Sequence, residues 1–228
     1  MSSTSNKILV LVTNHATLGE TDEANGTYAP EITHAIDVFN KAGLDYDIAS
    51  IKGGSAPLYG TDAEGDDVNA AILKDETFST KIENTLLASS LELGQYNAVF
   101  YPGGFGLLTD LASNEDVAKQ TASLYEAGAV VGAVCHGPAG LLPIKLSNGK
   151  LLIEDIEVTG FTREEEVEFG TIDKIPYVLE ESLTRTAGRY VKTAPWSEFV
   201  SKQDRVITGQ NPASAHAVAV AMVERLNA

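Results

Sequence analysis

Six stretches of the chain are dense in aliphatic and β-branched residues. They are KILVLVT (7–13), DYDIAS (45–50), YNAVFYPGG (96–104), AVVGAVC (129–135), IEVTG (156–160) and RVITGQN (205–211). Several are apolar without polar alternation, the pattern of parallel strands covered on both faces. Between them, residues 30–43 carry Ile32, Ala35, Ile36 and Phe39 at i, i+3, i+4 and i+7, with Pro30 at the start and Gly43 at the end. That spacing predicts an amphipathic helix with marked start and stop signals. Helices are also predicted over 114–128 and 177–187, and another near 81–91. The segment 212–226 is apolar nearly all round and should lie buried against the sheet or a partner chain. The Gly-, Asp- and Ala-rich stretch GGSAPLYGTDAEGDDVNA (53–70) reads as an excursion over the surface.

Strand–helix alternation of this kind predicts a single α/β domain over 1–228, with a doubly wound, mostly parallel sheet and helices on both faces. No internal repeat or linker interrupts it. Ligands in such folds bind outside the carboxyl ends of the strands. Cys135, the Gly103–Gly104 pair and the 160–166 stretch all fall at such ends.

Composition narrows the function. The chain has 228 residues, 43% of them hydrophobic, enough to bury a sizeable core. Its formal charge is −16, so it repels nucleic acid and anionic lipid, and neither is expected as a partner. The single cysteine cannot form an internal disulfide, which points to a reducing, cytoplasmic setting. The N-terminal MSSTSNKILVLVT lacks the cationic start and long apolar run of a secretory signal. No run approaches the ~18 apolar residues of a membrane span.

The chemistry gathers in GAVCHGPAGLL (132–142). A lone cysteine is most often a small buried hydrophobe. Here the strand stops at Cys135, and His136-Gly137-Pro138 turn into a helix-like AGLL, the strand–nucleophile–helix arrangement of a nucleophile elbow. The usual first glycine is Ala133, still small, and Gly137 keeps the position two after the nucleophile. A thiol at a helix N-terminus should have a lowered pKa, and free backbone N–H groups at the turn could bind an oxyanion.

AVCHGPAGLL, PGGFGLLTD (102–110), VTGFTREEE (158–166), TGQNPASAHAVA (208–219) and NGTYAPEI (25–32) together resemble the ThiJ/PfpI superfamily, and more narrowly its heat-shock-inducible glyoxalase III and chaperone branch. The likeness runs in order from about residue 7 to the C-terminal helix. It implies a flavodoxin-like α/β sandwich. It also implies that Cys135 is the nucleophile, His136 its neighbouring base, and Glu31 the acid set against the thiol. Without that likeness, Glu31 is a carboxylate favoured by the helix dipole. The acid that orients His136 lies among Glu164, Glu165 and Glu166. Aligning Gly-Phe-Thr favours Glu166, with Glu165 the alternative, whereas a glutamate run by itself reads as a solvated face. Gly103 and Gly104 would let substrate approach the backbone. The Gly104 and His136 N–H groups would serve as oxyanion donors. Phe105 stands where the branch usually has histidine, an apolar ring expected at the pocket mouth. His15, His34 and His216 show no clustered ligand spacing, so no metal site is expected.

The activity implied is conversion of methylglyoxal, a small α-oxoaldehyde, to lactate through a cysteine hemithioacetal. It needs neither glutathione, organic cofactor nor metal, and a homodimer is the expected assembly. A stress-induced holdase chaperone or a cysteine redox sensor of the same family is the alternative. A cysteine peptidase or amidotransferase fits less well, because His216 has no glutamate two residues on. Dinucleotide binding fails because no GxGxxG follows the first strand.

Overall fold

The computed structural model describes residues 7–62 and 64–228. The first six residues, on which the reading of the N-terminus as no secretory signal partly rests, lie outside the described residues. The chain runs β1 (Lys7–Val12), β2 (Thr27–Tyr28), α1 (Ala29–Lys41), β3 (Asp45–Ser50), β4 (Leu58–Tyr59), α2 (Asp67–Leu73), α3 (Glu76–Glu83) and β5 (Leu86–Leu87). Next come β6 (Tyr96–Tyr101), α4 (Glu115–Glu126) and β7 (Val130–Val134). The C-terminal part adds β8 (Glu157–Val158), α5 (Arg163–Phe169), α6 (Leu179–Thr186), β9 (Arg189–Tyr190), β10 (Val200–Gln203), β11 (Val206–Gly209) and α7 (Ala215–Leu226).

Among the described residues seven strands form one sheet in the order β10-β11-β7-β6-β1-β3-β5, parallel throughout except for the β10–β11 pair. The inner five strands follow the flavodoxin-like order, with β5 and β10 added at the edges. Side chains alternate across each strand and divide the core in two. Ile8, Val10, Phe100 and Val134 pack with α1, α3 and α7 on one face. Leu9, Leu11, Val99, Tyr101 and Val131 pack with α4 and α6 on the other. Burial on both faces explains why β1 from Ile8 to Val12 and all of β7 are apolar.

Helix α1 turns Ile32, Ala35, Ile36 and Phe39 inward, all fully buried. Helix α7 lies across β7, where Met222 fills the space above Gly132; a Cβ there would come within 2.1 Å of its sulfur. The near-uniform apolarity of 212–226 is thereby spent largely on the sheet and α1.

Other expectations change. The helix expected near 81–91 is α3, which begins earlier because Asp75 accepts the Phe78 N–H at 2.9 Å, and Leu86–Leu87 instead pair with Ala49–Ser50 at the sheet edge. Within 53–70, Asp66 caps α2 by accepting the Asn69 N–H, so part of that excursion is helical. Only Glu157–Val158 of IEVTG forms a strand, and it pairs with Arg189–Tyr190 outside the main sheet. The next N–H, of Thr159, goes to the Thr208 hydroxyl and not to a ladder carbonyl.

Phe100 meets Phe39 edge-on at 5.9 Å in the centre of one core. Phe100→Ala should cost about 3–5 kcal/mol of unfolding free energy, read from urea denaturation. A loss below about 1 kcal/mol would mean that the core collapses around the cavity at almost no penalty.

Candidate active site

Cys135 follows the last residue of β7 with a φ of 60°, in the left-handed region that a non-glycine residue enters at a cost of roughly 1–2 kcal/mol. Both of its backbone groups are tied down. Its N–H donates to the Gly209 carbonyl at 3.0 Å, and its carbonyl accepts the Phe161 N–H at 2.9 Å. Gly137 lets this turn press on the end of β6, since a Cβ would stand 2.2 Å from the Tyr101 carbonyl oxygen.

The turn leads into a five-residue 3-10 segment, Gly137–Leu141, and not into an α-helix. So short a run has little aligned dipole, and the expected lowering of the thiol pKa is overturned. Burial pushes the Cys135 thiol up, and the nearby Glu31 and Glu166 carboxylates push it further, while the His136 N–H pulls it partly back.

His136 lies between the sulfur and a carboxylate. Its Nδ1 is 3.4 Å from Cys135 Sγ, and its Nε2 is 2.7 Å from Glu166 Oε1, with all three residues buried. The other oxygen of Glu166 accepts the Thr171 hydroxyl, which fixes the plane of the carboxylate.

The three consecutive glutamates separate because successive helix positions are rotated by about 100°. Glu164 points outward and pairs with Lys192 at 3.4 Å. Glu165 closes a capping box with Thr162, and its other oxygen collects the Trp196 N–H, Gln210 Nε2 and Asn211 Nδ2 at 2.8, 3.1 and 2.8 Å. Glu165 is therefore turned into a fully satisfied hub away from the imidazole. Only Glu166 reaches His136.

Glu31 sits in the first turn of α1, fully buried, with its carboxyl beside the thiol. Neither carboxyl oxygen completes a hydrogen bond among the described residues. Burial raises its pKa to about 8, while the nearby Cys135 thiol and Gly103 N–H draw it partly back. Gly103 makes that closeness possible, since a Cβ would fall 2.1 Å from Glu31 Oε2 and 2.6 Å from Cys135 Cβ. A Cβ on Gly104 would strike the Gly26 carbonyl oxygen at 2.2 Å. The room left by both glycines is thus taken by protein, not kept open for a substrate as expected. The Gly104 and His136 N–H groups donate to no carbonyl oxygen among the described residues.

A cavity of about 240 Å³ opens above the thiol. Its walls are Tyr28, Tyr59, Phe105, Phe161, Phe169 and Trp196, with Cys135 and His136 on its floor. Phe105 is not at the mouth. It is 3% exposed, and its ring lies 4.4 Å from that of His136, with Phe161 at 4.6 Å. The mouth is formed by Phe169 and Trp196, 58% and 41% exposed. A larger cleft of about 540 Å³ around His15 and Lys174 contains none of these groups.

Thr171 and the lining rings Tyr28, Tyr59, Phe161, Phe169 and Trp196 escaped sequence reasoning. The T-x-x-E pattern of the capping box was the one legible signal for α5. His15 Nε2 is 3.0 Å from the Gly19 carbonyl oxygen, His34 pairs with Asp66 at 2.8 Å, and His216 is exposed. Among the described residues no three His, Cys, Asp or Glu side chains cluster as metal ligands. No described helix is long and apolar enough to cross a membrane.

A parallel sheet carrying a buried thiol at one strand end defines the class, and the chain belongs to the DJ-1/PfpI family, whose model matches residues 23–225. It is 29% identical to the glutathione-independent glyoxalase HSP31 of Saccharomyces cerevisiae, over 96% of this chain and 98% of that protein. The Francisella tularensis Rapid Encystment Protein 24 kDa superposes with a TM-score of 0.92 at 32% identity, over 97% of this chain and 99% of that one. The Candida albicans glyoxalase III gives 0.88 at 27% identity, over 97% of each chain.

The raised pKa of Glu31 has a defined sign. The folded chain holds this proton up to about pH 8 and the unfolded chain only to about 4.3, so the associated stability is present at low pH and lost as pH rises between them. Wild type should therefore lose up to a few kcal/mol relative to Glu31→Gln between about pH 5 and pH 8. Parallel stability curves for the two proteins would show that Glu31 ionises as it does in the unfolded chain.

Glu165→Gln leaves one oxygen where two serve, and should cost about 2–4 kcal/mol in chemical denaturation. Glu164→Gln should change stability by less than about 0.5 kcal/mol. Equal effects would contradict the separate environments of these neighbours.

Proposed function

We propose that this chain is a glutathione-independent glyoxalase that converts a methylglyoxal-type α-oxoaldehyde to the 2-hydroxy acid. The observation that carries the reading is the line Cys135–His136–Glu166 beneath an aromatic-walled pocket. The names of the relatives in Saccharomyces and Candida support it.

In this reading Cys135 supplies the thiol that glutathione provides elsewhere. His136 Nδ1 takes the thiol proton, and the sulfur adds to the aldehyde carbon to give a hemithioacetal. Glu31, protonated below about pH 8, adds no second negative charge beside the thiolate and has a proton to share with it. The oxygen that becomes negative is met by the Gly104 and His136 N–H groups.

The imidazolium then gives the thiol proton to that oxygen. The freed His136 takes the proton of the former aldehyde carbon and returns it to the neighbouring carbonyl carbon by way of an enediol. The aldehyde carbon is oxidised and its neighbour reduced by the same electron pair, so no external redox partner enters. The product is a thioester on Cys135, and water hydrolyses it to the 2-hydroxy acid and restores the thiol. Glu166 holds the His136 tautomer and stabilises the imidazolium, while Thr171 holds Glu166. No step calls on a metal or an organic cofactor. The same reading assigns the chain a cytoplasmic location, a homodimeric assembly and one domain over 1–228.

The direct test is formation of lactate from methylglyoxal without added glutathione. Cys135→Ala and Cys135→Ser should both fall below a few per cent of wild-type turnover, and Glu166→Gln should lose about a hundred-fold or more. Near-normal turnover by either Cys135 variant would overturn the covalent route. Normal turnover by Glu166→Gln would remove the carboxylate from it.

A further inference from the structure

The pocket walls hold more information than the reacting groups require. Phe105 and Phe169 stack at 6.2 Å with 14° between their planes. Phe161 and Trp196 meet edge-on at 5.6 Å on the other side, and Phe169 approaches Trp196 at 6.0 Å to bridge the two pairs. Trp196 is fixed at both ends, since its backbone N–H donates to Glu165 Oε1 at 2.8 Å and its indole N–H to Glu168 Oε2 at 2.6 Å. Its φ of 62° is a strained backbone for a bulky residue, so the ring is held at the mouth by these bonds. Among the described residues no lysine or arginine lines the cavity, and Glu31 and Glu166 lie beneath its floor. An anionic substituent would find no partner there, and a methyl group would touch little of the walls.

We propose that this pocket selects α-oxoaldehydes bearing an aryl substituent over methylglyoxal, with the flat ring lying between the Phe105–Phe169 and Phe161–Trp196 walls. The inference rests on the glyoxalase reading above. Offset and edge-on contacts favour an aromatic guest over an aliphatic one, and the aldehyde then points to Cys135. The balanced reaction is arylglyoxal plus water giving the aryl hydroxyacetic acid, by the same internal transfer of one electron pair.

The test pairs turnover with binding. Phenylglyoxal, assayed as mandelate, should give a kcat/KM about ten-fold or more above that for methylglyoxal, assayed as lactate. Phe169→Ala should bring that ratio close to unity, whereas Val167→Ala, exposed on α5 outside the cavity, should leave the ratio unchanged. Trp196 is the only tryptophan of the chain, so its fluorescence reports occupancy of the mouth independently of turnover. The unreactive 1-phenylethane-1,2-diol should change it saturably at concentrations where propane-1,2-diol does not. Absence of hydroxy acid from both aldehydes, with a saturable response to the phenyl diol alone, would remove the glyoxalase reading and leave the aryl preference standing. Ratios within about two-fold of unity in wild type, or equal responses to the two diols, would overturn the preference.

Discussion

The left-handed turn at Cys135 is the constraint on which the site depends. A strand cannot present its last side chain above the sheet and also let the chain descend into a helical turn unless one residue takes that conformation. The strain is held by hydrogen bonds to β11 and to the 160 loop, both from outside β7 and the 3-10 turn that follows it. The Phe161 N–H that closes one side of the turn belongs to the segment leading into α5, the helix that carries Glu166. The position of the sulfur and that of the carboxylate behind His136 are therefore parts of one backbone arrangement.

Electrostatics at the thiol follow from burial more than from any helix. Cys135 and Glu31 are shut into the same volume, where burial raises the proton affinity of both; Glu31 raises that of the thiol further, while the thiol draws that of Glu31 partly back. A dipole-activated thiolate would be charged whatever its neighbours did. A thiol facing a carboxyl is activated only as a pair, and the proton count of the pair decides which partner is nucleophilic. Gly103 is what allows the pair to touch.

The parts of the molecule legible in the sequence are those where one physical cause acts alone. β1 and β7 show as apolar runs because both faces are buried, and α1 shows because Pro30, Gly43 and one apolar stripe agree. The short helices were hidden by composition. α2 sits in an Asp- and Gly-rich stretch, and α5 lies behind a glutamate run that looks solvated although two of its three glutamates are buried. The helix near 81–91 was displaced because the leucines after Asn84 serve the sheet edge. The position of Cys135 beside His136 was readable from neighbours in sequence. The pocket was not, because its rings come from segments near residues 28, 59, 105, 161, 169 and 196 that only the fold brings together.

Apolarity on both faces of the sheet leaves one kind of information unspecified. Sliding β7 by one residue would exchange two apolar sets between the cores without bringing a charged group inside, so hydrophobicity alone tolerates the slip. Fit at the ends does not. Gly132 must lie under Met222, Gly137 against the Tyr101 carbonyl and Gly103 against Glu31, and a one-residue shift would put a side chain into at least one of these contacts. The close contacts that assemble the reactive pair thus also serve as the index marks that set how the central strands are aligned.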